Sequence, residues 1–123
     1  MTEPHPNGRG MALRIEKALA QSGVARGDVN YINAHAASTQ LRINSTKSMT
    51  GYSLGASGAV EAITTVKVIR WIQPNINLDN PEEGVDMNLL VGVKKERLDI
   101  KVALSNSFGF GGHNSSILLA PFR

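Results

Sequence analysis

A glycine-rich run near the end of the chain constrains the fold more than any other feature of the sequence. Residues 105–114 read SNSFGFGGHN and directly follow a β-prone stretch at residues 101–104. Glycine permits positive φ angles and close approach of the backbone to a ligand. A phenylalanine ring gains free energy only when it is buried against protein or an apolar ligand. The run therefore predicts a strand that leads into a mobile loop whose phenylalanines gate an apolar channel.

Hydrophobic spacing predicts two helices. In the first, Met11, Ile15 and Leu19 recur at helical spacing, and Gly23 is placed to end the helix. The second helix precedes Pro74 and carries an apolar stripe made of Ala59, Ala62, Ile63, Val66 and Ile69. An apolar stripe is typical of a helix face that packs against the rest of the protein.

Strands are predicted at residues 29–34, 89–91, 102–104 and 116–119, and residues 74–84 are predicted to form a loop. Alternation of helices and strands favours an α/β fold with a mixed sheet and helices packed on it. His35 follows the first strand directly. In layered α/β proteins, the crevice beyond the strand ends is where ligands bind.

The composition is that of one folded domain: 123 residues, 41% hydrophobic, 19% charged and a formal net charge of +3. Nucleic-acid binding is not expected, because aromatic residues make up only 5% and no basic stripe is present. No apolar run is long enough to predict a membrane span. Residues 1–7 lack the features of a signal or transit peptide, so no targeting segment is predicted in this chain.

The chain contains no cysteine, which removes disulfides, thiolate metal sites and a thiol nucleophile from its own residues. Its three histidines are too dispersed to predict a metal site. The glycine-rich run lacks the final glycine of a dinucleotide fingerprint, and Lys47 precedes its neighbouring glycines instead of following them as in a phosphate-binding loop. No cofactor is therefore predicted.

Three motifs together carry a family resemblance. With residues 31–35 (YINAH) and 45–56 (STKSMTGYSLGA), the glycine-rich run resembles the C-terminal half of the beta-ketoacyl-acyl carrier protein synthases, the condensing enzymes of fatty-acid synthesis, and most of all their plant plastid form. The resemblance covers essentially residues 1–123 and implies half of a thiolase-like fold. It also implies the plastid stroma as location, an acyl carrier protein as partner, and association with another synthase half or a second copy.

The resemblance implies roles for individual residues. His35 would help hold the malonyl thioester, Lys47 would belong to the polar network of the active site, and Phe110 would act as a gate whose backbone N–H contributes to the oxyanion hole. Substrate-binding positions would be Phe108, Gly109, Gly111 and Gly112. From the residues alone, His35 is more typical of a buried histidine bonded to backbone, and the family motif is what favours the catalytic role. Lys47 is also typical of an exposed lysine in a polar loop.

The sequence departs from the family pattern in three places. It has no nucleophilic cysteine, Tyr52 stands where the family has its second catalytic histidine, and a helical segment is missing between Gln40 and Leu41, so the domain is shortened near residues 39–42. A phenol stays protonated near neutral pH and cannot replace an imidazole as a base, although it can donate a hydrogen bond.

These departures predict a truncated synthase that does not condense acyl groups alone. The parent reaction would be acyl transfer to cysteine, decarboxylation of malonyl carrier protein and attack of the carbanion on the acyl thioester. Two alternatives stay open. One is a non-catalytic module that pairs with another synthase half or dimer, and the other is a remnant without a stable fold. The basic residues Lys94, Lys95 and Arg97 are interpreted as a solvated turn rather than a docking surface for acyl carrier protein.

Overall fold

The computed structural model describes residues 9–33, 42–68, 71–80, 83, 86–88, 90–109 and 113–122. Its helices are α1 (Arg9–Ser22), α2 (Lys47–Thr50) and α3 (Ser57–Lys67), and its strands are β1 (Val29–Asn33), β2 (Arg42–Asn44), β3 (Trp71–Ile72), β4 (Glu96–Arg97), β5 (Val102–Phe108) and β6 (Asn114–Leu119). Of the helices in this part of the chain, none combines the length and apolar character that a membrane span requires.

The main sheet has four strands in the order β2-β1-β5-β6. Strand β1 pairs in parallel with both β2 and β5, whereas β5 and β6 pair antiparallel as a hairpin. Strands β3 and β4 form a separate antiparallel pair. The predicted α/β architecture with a mixed sheet is confirmed.

The two long helices pack on opposite faces of this sheet, because successive strand residues point to opposite sides. On one face, Tyr31 and Ala103 cluster with Val68, which directly follows α3. On the other face, Ile32 and Leu104 cluster with Ile15 of α1. The central strands β1 and β5 are thus buried on both faces, whereas β6 is partly exposed.

Polar side chains tie the loops to the sheet. The Tyr31 hydroxyl donates a 2.6 Å hydrogen bond to Asn44 Oδ1, and Asn44 Nδ2 donates a 2.7 Å bond to the carbonyl of Gln73. Burial raises the pKa of the Tyr31 phenol well above its ordinary value. Tyr31 therefore acts as a neutral hydrogen-bond donor inside the core.

The largest difference from the sequence prediction concerns the apolar stripe of α3. The stripe was predicted to pack against the rest of the protein, but its large residues Ile63 and Val66 face outward. Glu61 and Thr65 are the buried residues of α3, whereas Ile63 is 59% and Val66 is 50% exposed. The buried Asn33 amide on β1 donates to the Glu61 carbonyl and to Thr65 Oγ1 at 3.1 and 3.0 Å, so a polar face of the helix meets the sheet. The predicted stripe residue Ile69 lies outside the described residues.

Strand bounds also differ from prediction in several places. Residues 105–108 belong to β5 and not to a loop, because β6 supplies a ladder partner for each of them. The strand predicted at residues 89–91 is reduced to a single parallel bridge between Leu90 and Ile43, with residue 89 outside the described part.

The basic residues near position 95 are only partly in a turn. Lys94 lies in a bend and is exposed, whereas Glu96–Arg97 forms β4. The Lys95 ammonium lies 5.1 Å from the centroid of the Trp71 ring on β3. Pairing of β3 with β4 gives this segment a fixed shape that the charge pattern alone did not predict.

The ion pair between Arg42 and Glu96 contributes to the stability of the fold in a way that depends on pH. Arg42 Nε donates a 2.9 Å hydrogen bond to Glu96 Oε2, and the Gly92 N–H donates to Glu96 Oε1 at 3.2 Å. The Arg42 hydrogen bond is the main cause that lowers the pKa of Glu96, and partial burial opposes it. A carboxyl with a lowered folded-state pKa stabilises the fold above its unfolded pKa, and that contribution is lost as pH falls through the folded pKa.

We therefore expect Glu96→Gln to lose stability at pH 7 and to show a smaller further loss than the parent chain on acidification to about pH 3. Urea midpoints followed by circular dichroism at the two pH values measure this difference. Glu16→Gln is the matched control, since Glu16 forms only an exposed 3.4 Å pair with Arg26. Equal acid sensitivity of all three proteins would contradict the assignment.

Candidate functional site

An open cleft of about 750 Å³ lies at the end of the sheet where β5 turns into β6. Side chains from several elements line it, among them Arg14, Lys47, Tyr52, Glu61, Phe108 and His113. The described residues contain no group of three or more histidine, aspartate or glutamate side chains arranged to bind a metal ion. The described part of the cleft offers an ion pair, hydrogen-bond donors and an apolar wall.

A buried carboxylate forms the base of the cleft. Glu61 Oε1 pairs with the ammonium of Lys47, and Glu61 Oε2 accepts a 3.1 Å hydrogen bond from Ser107 Oγ. The Glu61 side chain is only 4% exposed. A buried charge persists only when it is paired and hydrogen-bonded. We call these three residues the Lys47–Glu61–Ser107 network.

Lys47 is therefore not the exposed lysine of a polar loop that its sequence surroundings allow. Its side chain is 30% exposed and it begins α2, a single turn closed by the hydrogen bond from the Thr50 N–H to the Thr46 carbonyl. The structure places Lys47 in the cleft, beside the segment that leads to α3.

Glu61 is the site residue that the sequence reasoning missed. One signal was available: Gly58, Glu61 and Thr65 lie at spacings of three and four, so they share one face of the helix. A glycine, a carboxylate and a hydroxyl on one face predict a close, polar contact with the sheet. The apolar stripe on the other side of α3 instead predicts that the opposite face of the helix is buried.

Close packing at Gly58 maintains the network. A Cβ atom added there would lie 2.9 Å from Ser107 Oγ and 3.4 Å from Ser107 Cβ. The Ser107 hydroxyl would have to rotate away from Glu61. The glycine thus lets α3 approach β5 closely enough for the hydrogen bond to form.

We expect Gly58→Ala to destabilise the chain by about 1 kcal/mol, despite the helix propensity that alanine adds. Gly55→Ala is the control, because a Cβ at Gly55 meets nothing within 4 Å. Urea unfolding should show a lower stability for Gly58→Ala than for Gly55→Ala. In a Ser107→Ala background, Gly58→Ala should lower the free energy of unfolding by less. Equal stability of the two single variants would show that the contact at Gly58 is unimportant.

The β5–β6 hairpin forms one side of the mouth of the cleft. The Gly109 N–H donates a 2.7 Å hydrogen bond to the His113 carbonyl, and Phe108 is in register with Asn114. A Cβ at Gly109 would lie 3.3 Å from that carbonyl, which explains a glycine at this position. Phe108 is half-buried and contributes an apolar wall, whereas His113 is exposed at the rim.

Tyr52 also lines the cleft and is 56% exposed. It lies in the irregular segment between α2 and α3, near Lys47. The structure thus brings together Lys47, Tyr52, Phe108 and Gly109 from the predicted set. His35, Phe110, Gly111 and Gly112 lie outside the described residues.

Comparison with known protein families finds a match to the model described as beta-ketoacyl synthase, C-terminal domain, over residues 1–42 and 40–79. The chloroplastic 3-oxoacyl-acyl-carrier-protein synthase II of Arabidopsis thaliana is 58% identical over the whole chain, which spans 27% of that relative. The chloroplastic synthase I of Hordeum vulgare is 44% identical, and the chain spans 31% of it. The chain thus spans about a third or less of these relatives.

Solved structures agree with this match. A ketosynthase bound to a hexaketide, in complex with its type II polyketide acyl-carrier protein, superposes with a TM-score of 0.90 at 30% identity, covering 99% of this chain and 35% of that chain. A beta-ketoacyl synthase from Burkholderia phymatum superposes with a TM-score of 0.83 at 28% identity, covering all of this chain and 34% of that one. The cleft described above therefore lies in a widely shared fold.

Proposed function

Because the chain belongs to the beta-ketoacyl synthase C-terminal domain family and has its thiolase-like fold, we propose that it supplies the thioester-carbonyl side of a condensing active site in fatty-acid synthesis. The reaction would join an acyl thioester to the carbanion formed when malonyl carrier protein loses carbon dioxide. The chain would not catalyse this reaction alone, since a condensing enzyme of this kind needs a thiol nucleophile and the chain contains no cysteine.

The single observation that carries the proposal is the Lys47–Glu61–Ser107 network at the base of the cleft. A lysine held by a buried carboxylate gives the cleft a fixed ammonium group whose charge is balanced by Glu61. The N–H groups of such an ammonium can donate hydrogen bonds to a nearby carbonyl oxygen on which negative charge develops. By resemblance, His35 would help hold the malonyl thioester and the Phe110 N–H would contribute to the oxyanion hole. Phe108 and residues 109, 111 and 112 would be substrate-binding positions.

Partner and location follow as further parts of this proposal. An acyl carrier protein would deliver the thioester, in keeping with the carrier protein bound to the ketosynthase of similar structure. The plastid stroma is the proposed location, in keeping with relatives that are named chloroplastic. The thiol would come from another synthase half, in the same assembly.

A second candidate function is a non-catalytic module that pairs with another synthase half or dimer. The outward apolar residues of α3, Ile63 and Val66, favour it, since a helix stripe of this kind is normally covered. The two functions share the pairing step. They differ in whether the paired assembly forms product.

Co-expression of this chain with the complementary N-terminal portion of the Arabidopsis synthase II tests both. Under the proposed function the two polypeptides co-purify and form 3-oxoacyl product from acyl and malonyl carrier proteins. Labelled acyl groups should attach only to the added portion, and the chain alone should carry no label. Co-purification without product supports the non-catalytic module, and an acyl group trapped on this chain would contradict the proposal.

A further inference from the structure

Arg14 of α1 adds a second cationic group to the cleft. Gly10, one helical turn earlier, is the point where α1 approaches the hairpin, because its Cβ position lies 3.8 Å from Asn114 Nδ2. Residues four apart share a helix face, so this face of α1 borders the cleft mouth. Among the described residues, no ion pair or hydrogen bond engages the Arg14 guanidinium.

The charges of the cleft do not cancel. Both carboxylate oxygens of Glu61 are occupied, one by Lys47 and one by Ser107, so this carboxylate and Lys47 compensate each other. The positive charge of Arg14 is then left without a partner in the described part of the cleft. Phe108 and Leu54 provide apolar surface in the same cleft. A ligand that fits these walls has an apolar or short acyl portion and one anionic group.

We propose that Arg14 is a specificity-determining residue that binds the carboxylate of a carboxyacyl thioester, of which the malonyl thioester is the smallest convenient example. The inference rests on the proposed function, because it takes the cleft to be an acyl-thioester site. A guanidinium suits this role, since its planar fork can donate two parallel hydrogen bonds to one carboxylate. A lysine at the same place would act as a point charge without that geometry.

Arg14 would also affect how readily such a ligand loses carbon dioxide. In decarboxylation, the bond between the α-carbon and the carboxylate breaks, carbon dioxide leaves, and the electron pair passes into an enolate whose charge lies on the thioester oxygen. A cation that holds the carboxylate stabilises the ground state more than this transition state, which opposes the reaction. Arg14 would therefore slow the release of carbon dioxide without abolishing it, so the paired assembly still forms product but more slowly than it would without this contact.

Calorimetric titration of the whole chain with malonyl-CoA and acetyl-CoA tests the inference. Both ligands carry the same coenzyme A phosphates, so the ratio of their dissociation constants isolates the carboxylate. We expect malonyl-CoA to bind about tenfold more tightly, as one charge-assisted hydrogen-bonded contact predicts. Arg14→Gln should bring the ratio to about one without changing acetyl-CoA binding, and Arg14→Lys should give an intermediate ratio.

Arg26→Gln is the matched control, since Arg26 is an exposed arginine outside the cleft. Equal binding of the two ligands by the parent chain, or a preference that survives Arg14→Gln, overturns the inference and leaves the proposed function intact. Weakening of both ligands alike by Arg14→Gln assigns Arg14 to the coenzyme phosphates and also overturns it. Failure of both ligands to bind the chain also overturns the inference, whereas the proposed function is decided separately by product formation in the co-expressed assembly.

Discussion

Replacing Lys47 with methionine should lower the free energy of unfolding by about 3 kcal/mol, because it leaves the carboxylate of Glu61 buried without a counter-charge. Methionine keeps the length of the side chain, so little packing is lost with the charge. The Ser107 hydroxyl remains as a donor to Glu61 Oε2, but one neutral hydrogen bond does not offset a buried charge. Urea unfolding at pH 7 measures the loss.

A double-mutant cycle separates the charge effect from packing. In Glu61→Gln, the buried charge is removed while the shape of the side chain is kept, so the double variant with Lys47→Met should recover most of the stability that Lys47→Met loses. Lys67→Met serves as the control, since Lys67 is an exposed lysine at the end of α3. Additive effects of the two substitutions would show that the ion pair contributes little to the free energy of unfolding. The position of Lys47 in the cleft would then not depend on Glu61.

Much of the fold could be predicted because local patterns specify its longer elements. The spacing of Met11, Ile15 and Leu19 predicted α1, whose observed bounds are Arg9–Ser22, and the β-rich residues before Asn33 predicted β1. Strands β2, β3 and β4 were missed since each has only two or three residues and forms only through partners distant in sequence. No local pattern carries that information.

The candidate site was predicted only in part, because local motifs identify some of its residues and contacts between distant residues place the others. The motif resemblance pointed to Lys47, Tyr52, Phe108 and Gly109, all of which line the cleft. Glu61 was missed because its burial depends on Lys47, 14 residues away, and on Ser107, 46 residues away. Arg14 was missed because an arginine in an amphipathic helix is normally solvent-exposed, and only the position of α1 against β6 brings it to the cleft.

Changing Tyr52 to histidine should raise the condensation rate of the co-expressed assembly by about 100-fold. General acid or base groups typically contribute 10²- to 10⁴-fold, and an imidazole titrates near neutral pH whereas a phenol does not. Tyr52 is exposed on the cleft wall, so the substitution has room and should leave the fold intact. Product formation from acyl and malonyl carrier proteins, measured over a range of pH, is the readout.

The Tyr52→Phe variant and the pH dependence of the rate test this prediction further. Tyr52→Phe removes only the hydroxyl, so a further fall in rate would show that the phenol already donates a hydrogen bond to the substrate. The histidine variant should acquire a pH dependence near about 6.5 that the tyrosine and phenylalanine forms lack. If Arg14 also opposes loss of carbon dioxide, then Tyr52→His combined with Arg14→Gln should be faster than Tyr52→His alone. An unchanged rate in Tyr52→His, in an assembly that still forms, would mean that Tyr52 is not what limits catalysis.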